Sequence, residues 1–126
     1  MKRPRVAESA PAYLVGSGDA SVRARLGALI EVLGNNLVAD LLGVNKSQPS
    51  RWRRGIEGIA ATPARRILEL DMVISRLLLL YPSDIALRWL DGNNPHVGGR
   101  PIDVVKVRGP LAILPAIGAA EQGAFA

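Results

Sequence analysis

The longest uninterrupted helical pattern in the chain lies between two proline signals. Thr62-Pro63 is a start, a hydroxyl followed by a residue whose fixed φ suits a helix's first turn, and Tyr81-Pro82 is a stop. Between them Ile67, Leu70, Val73, Ile74, Leu77 and Leu78 recur at helical spacing. The apolar face they make is broad enough for both a core and a partner helix, so the rest of the chain has to supply helices to cover it. Val22, Leu26, Leu29, Ile30 and Leu33 predict one, with Ser21 as its N-cap and Gly34 as its stop. A second spans Leu37–Leu42 and ends at Gly43. A third spans Lys46–Arg54, capped by Asn45 and stopped by Gly55, with Pro49 in its first turn, where a missing N–H does little harm. Ser83–Leu90 and Pro101–Val107 are two more. The last apolar helix begins at Pro110, and Pro115 is expected to kink or divide it, at about 3 kcal/mol for an interior position. No alternating strand pattern of useful length occurs. The fold class expected is all-α.

Composition narrows the function. The chain has 126 residues and no cysteine, which removes disulfide scaffolds, thiolate metal sites and cysteine nucleophiles. One histidine, His96, leaves too little for a histidine metal site or a Ser/His/Asp triad, and Glu69 and Asp71 do not face each other on a helix. No enzyme, cofactor or metal is therefore expected. The net charge of +5 is unevenly spread. Residues 1–66 carry eleven basic and five acidic side chains, whereas residues 67–126 carry five basic and six acidic. A basic half joined to a near-neutral half implies two tasks, one of them at a polyanion such as DNA. The apolar run at Leu77–Tyr81 is far short of the roughly 18 residues of a membrane span, and Met1-Lys2-Arg3-Pro4-Arg5 leads into no apolar segment. A cytoplasmic protein with no membrane contact is expected. Three regions follow: a disordered tail over 1–20, a basic helical region over 21–62, and a second helical region over 63–126.

Residues 37–55, LVADLLGVNKSQPSRWRRG, carry the clearest local geometry. Ala39 sits where two helices approach closely, and Gly43, four residues on, permits the left-handed corner between them. Leu42, Val44 and Trp52 are spaced to pack inward. That leaves Asn45, Lys46, Ser47, Gln48, Ser50, Arg51 and Arg54 outside, side chains of the kind that reach base edges and phosphates in a major groove. The segment resembles the Xre-type (Cro/repressor-like) helix-turn-helix. The resemblance makes Lys46, Ser47, Gln48, Ser50, Arg51, Arg53 and Arg54 the DNA-binding candidates, with Gln48 and Arg51 at bases and Lys46, Arg53 and Arg54 at phosphates. Pro49 stands where that pattern usually has a β-branched core residue, so its packing decides the tilt of the second helix. Arg65 and Arg66 add candidate phosphate contacts. So small a module needs at least a dimer for specific binding.

Residues 88–105, RWLDGNNPHVGGRPIDVV, are the most distinctive of the chain. They read as a Trp-Leu pair, an Asn-Pro loop, a double-glycine turn and a proline-started helix. Trp89 and Trp52 are expected in the core, and Arg88 with Asp91 as a surface ion pair. The order Trp89-Leu90, Asn94-Pro95, Gly98-Gly99, Pro101 and a late Gly123 resembles the Xre/MbcA/ParS toxin-binding family of antitoxins. The resemblance spans residues 22–126. It implies a helix-turn-helix bundle followed by a small toxin-binding domain, and a RES-domain toxin, an NAD-degrading enzyme, as partner. It further implies that the C-terminal end, Glu121, Gln122, Gly123, Ala124, Phe125 and Ala126, blocks the toxin's NAD site, with operator DNA and a second copy as further partners. The alternative is a stand-alone dimeric helix-turn-helix repressor with no toxin.

Overall fold

The computed structural model describes residues 11–125 of the chain. Among them every regular element is helical: α1 (Pro11–Leu33), α2 (Asn35–Leu42), α3 (Gln48–Arg53), α4 (Ala61–Leu80), α5 (Ser83–Asp91), α6 (Pro101–Arg108) and α7 (Leu114–Phe125), with a 3₁₀ turn at Pro110–Ile113 leading into α7. The all-α expectation is met.

α4 is the axis of the fold. It packs on α1 and α2 from the first half of the chain and on α5, the 3₁₀ turn and α7 from the second. Its buried residues are Ile67, Leu70, Val73, Ile74 and Leu77, the face read from the sequence. They join one hydrophobic cluster that runs from Val22, Leu26 and Leu29 through Val38, Leu41 and Trp52 to Leu90, Val105, Ile113 and Ile117. The two helical regions expected on either side of residue 62 thus share a single core. Polar clamps sit at its edge: Arg25 of α1 donates to Asp71 of α4 at 2.7 Å, and Arg76 of α4 grips the Glu121 carboxylate of α7 with two N–H groups.

Several boundaries differ from expectation, each for a local reason. α1 starts at Pro11 rather than at Ser21: proline suits a helix's first position, and the helix runs on through Gly16 and Gly18 despite their low helix propensity. Residues 11–20 therefore belong to a helix, while residues 1–10 of the expected tail lie outside the described residues. α4 starts at Ala61 with Ala60 as its N-cap, so Thr62 lies inside the first turn. Pro63 falls at the third helical position, where its absent N–H would have had no partner in any case. Pro115 does not break a helix. The 3₁₀ turn ends at Ile113, α7 starts at Leu114, and Pro115 is its second residue, where proline is tolerated.

Candidate functional site

The corner between α2 and α3 is built from glycine and asparagine chemistry. Gly43 adopts φ 70°, ψ 34°. Its N–H donates to Asp40 O at 3.1 Å and the Val44 N–H donates to Ala39 O at 3.0 Å, the paired bonds of a Schellman ending. Ala39 is wholly buried, as the close approach requires. The chain then turns on Asn45, whose Oδ1 accepts from both the backbone N–H of Ser47 (2.9 Å) and its hydroxyl (2.8 Å). Asn35, at the start of α2, reaches across and donates from Nδ2 to Lys46 O at 2.6 Å, fixing the far end of the turn. α3 closes as α2 does: at Gly55, φ 74°, the Gly55 N–H meets Trp52 O and the Ile56 N–H meets Arg51 O.

α3 is anchored through Pro49 and Trp52, both buried. Pro49 fills the core position with almost no exposed surface, which fixes the helix without a β-branched side chain there. Lys46, Ser47, Arg51, Arg53 and Arg54 are exposed, and Gln48 and Ser50 are half-buried rather than fully outside. The arginines are not equivalent. Arg51 Nε holds Glu57 at 2.9 Å and Arg53 holds Glu31 of α1 at 2.7 Å, whereas Lys46 and Arg54 have no acidic partner among the described residues. Surface pairs of this kind are worth about 1 kcal/mol or less, so a polyanion can compete for both arginines.

The second candidate surface is the segment after α5. Its loop is organised around Asn94. The Asn94 N–H donates to Gly99 O at 2.8 Å, and its own carbonyl accepts from Gly98 N at 3.0 Å. Its side-chain Oδ1 accepts from His96 N at 3.0 Å, an Asx turn across Pro95. Gly98, φ 75°, supplies the left-handed step that closes the loop. Trp89, Asn94 and His96 line one side of a cleft of about 250 Å³ whose other side is Ala116, Ala119 and Ala120 of α7. The motif residues and the C-terminal helix are thus brought together. Trp89 is half-buried, packed against the edge of the core and open to this cleft, while Leu90 and Pro101 are buried.

At the C-terminal end Glu121 is held by Arg76, and this pairing keeps its carboxyl below the usual carboxylate range. Gln122, Gly123 and Ala124 are exposed on the last turns of α7. The backbone of Phe125 ends the helix, and its side chain and Ala126 lie outside the described residues. The expected Arg88–Asp91 pair does not form. Arg88 faces Asp84 one helical turn back, at 3.6 Å. Asp91 instead binds Arg100, which also holds Asp103 at 2.9 Å, so these charges tie α5 to the start of α6.

Sequence reasoning missed Asn35, Glu57 and Lys106. The Asn35-Asn36 pair following Gly34 was a legible sign of a polar clamp near a helix start. Nothing in the linear chain pointed to Lys106. No protein-family model, curated protein or solved structure matches the chain, so the functional reading rests on these residues.

Proposed function

We propose that this chain is the antitoxin of a type II toxin–antitoxin pair that binds and neutralises a RES-domain, NAD-degrading toxin in the cytoplasm. Its C-terminal end enters the toxin's NAD site, and α2 with α3, acting as an Xre-like helix-turn-helix, represses its own operon. The observation that carries this reading is that the residue 88–105 motif and α7, the helix bearing residues 121–125, face each other across the Trp89–Asn94–His96 cleft. Glu121 ties α7 to α4 through Arg76. The residues left to meet the toxin are Gln122, Gly123, Ala124, Phe125 and Ala126.

The exposed cations Lys46, Arg51, Arg53 and Arg54 around α3 support the DNA role. Self-association falls to the outer side of α4. Leu68, Met72 and Leu79 are exposed there, Leu79 at 86%, and with Ser75 they form one row along the helix. The row has the same spacing read in either direction, so it matches itself across a two-fold axis, with Ser75 small enough to let the helices approach.

The test is NAD⁺ consumption by the RES-domain toxin with an equimolar amount of this chain, or of the chain ending at Glu121. Full-length protein is expected to suppress consumption and the shortened one to fold but inhibit far less. Equal inhibition by both would remove the plugging mechanism. No inhibition by the full chain, with salt-dependent operator binding intact and lost in Arg51→Ala, would leave the stand-alone dimeric repressor.

A further inference from the structure

A groove of about 510 Å³ opens between the α2–α3 corner, the start of α4 and the end of α6, and of its lining residues Gln48 and Arg66 are also candidates for DNA contact. Its floor is apolar, made by Leu42, Val44, Trp52 and Pro63. Its polar members are of one kind. Arg66 of α4 and Lys106 of α6 line it, and none of its nine lining residues is acidic. Neither cation has an ion-pair partner among the described residues. Arg66 is half-buried, and its guanidinium reaches to within 3.7 Å of where a side chain on Gly109 would begin. That position is just past the last turn of α6, which carries Lys106, and both cations line the groove.

Gln48 lines the same groove, with its side-chain amide engaged by the Glu57 carboxylate. The first turn of α4 also borders the groove at Thr62, and no side chain caps that helix. The N–H groups of Ala61 and Thr62 are left for another acceptor, since Pro63 has none and the Ala64 N–H bonds Ala60 O. An apolar floor beneath a rim of donors and unpaired cations is complementary to a ligand with the opposite parts.

We propose that this groove binds a small organic anion, an apolar or aromatic body carrying a single carboxylate or phosphate. The body lies on Trp52 and Pro63, and the anionic oxygens meet Arg66 and Lys106. The volume suits a ligand of a few rings at most and excludes a folded partner.

Trp52 is itself the reporter. Fluorescence of Trp52 is titrated in a Trp89→Phe background with phenyl phosphate and with phenylacetate. Inorganic phosphate tests the charge alone and benzyl alcohol the body alone. A saturable change with at least one aryl anion is expected, with Kd of ~1 mM or tighter. Binding should weaken by at least about tenfold in Arg66→Ala and in Lys106→Ala, and by a similar factor for either control compound. Lys106 is exposed, so Lys106→Ala keeps the fold should Arg66→Ala lose it. The better of the two aryl anions identifies the head group. No saturable change with either one, binding indifferent to both cations, or inorganic phosphate binding as tightly as phenyl phosphate would overturn the proposal. No toxin or DNA enters the assay, so its result is independent of the function proposed above.

Discussion

Replacing glycine by alanine at Gly43 and at Gly118 is the same chemical change, and the structure gives the two substitutions opposite signs. At neither position does an added Cβ meet another atom within 4 Å, so steric clash drops out and backbone conformation decides. Gly43 sits at φ 70°, where an L-residue with a Cβ is strained by roughly 1–2 kcal/mol. The loss of unfolded-chain freedom returns about 0.4–1 kcal/mol, leaving a net destabilisation of about 1 kcal/mol. Gly118 lies inside α7, where alanine is favoured over glycine by roughly 0.5–1 kcal/mol. In urea, with m of about 2 kcal/mol/M, Gly43→Ala is expected to lower the unfolding midpoint by ~0.5 M and Gly118→Ala to raise it by ~0.3–0.5 M, with slopes unchanged. Gly43→Asn should fall between Gly43→Ala and the parent, since asparagine tolerates the left-handed region. A Gly43→Ala protein as stable as the parent would refute the left-handed corner and with it the placement of α3.

Acidification reports on the Arg76–Glu121 clamp. The Glu121 carboxyl is depressed by Arg76, so its contribution is present above the unfolded carboxylate pKa and is lost as pH falls through the lower folded value. The parent should exceed Glu121→Gln in melting temperature at pH 7, and the two should converge on acid titration; a gap that persists in acid would mean the clamp is not ionic. Leu77→Ala should cost about 2–5 kcal/mol in denaturant unfolding, since Leu77 has no exposed surface. Leu79→Ala, two residues on, should leave monomer stability within about 0.5 kcal/mol and weaken self-association in sedimentation. Pro115→Ala should change the urea midpoint little, because Pro115 is the second residue of α7; a gain of about 3 kcal/mol would place it in a helix interior instead.

What the sequence made legible was local. Gly43 and Gly55 announced their corners because each had to accept a left-handed turn at the end of an apolar-periodic run, and Tyr81-Pro82 marked the end of α4 for a similarly short-range reason. Asn94-Pro95 and Gly98 identified a loop that the structure closes with hydrogen bonds inside six residues. The misreadings came from competition between such signals. Pro110 and Pro115 lie five apart, too close for one undisturbed helix, and the chain resolves this with a 3₁₀ turn that places the second proline in a fresh first turn. Arg88 had acids on both sides, and only the approach of Arg100 explains why Asp91 went elsewhere. The groove at Arg66 and Lys106 had no sequence signature at all, since its members come from α2, α3, α4 and α6 and meet only through the packing around α4.

The anchoring of α3 has a consequence for how this chain can change. Pro49 and Trp52 are its two buried residues, the corner before it is held by Gly43, Asn45 and Asn35, and the stop after it by Gly55. Nothing in that scaffold depends on the identities of Arg51 and Arg54. The exposed side chains of the helix can be changed while its anchoring stays untouched, so on the proposed DNA-binding reading a new recognition sequence is a matter of a few exposed substitutions rather than of refolding. By the same logic, a library confined to Lys46, Ser47, Arg51 and Arg54 should yield mostly folded proteins, and one that touches Pro49 or Trp52 should not.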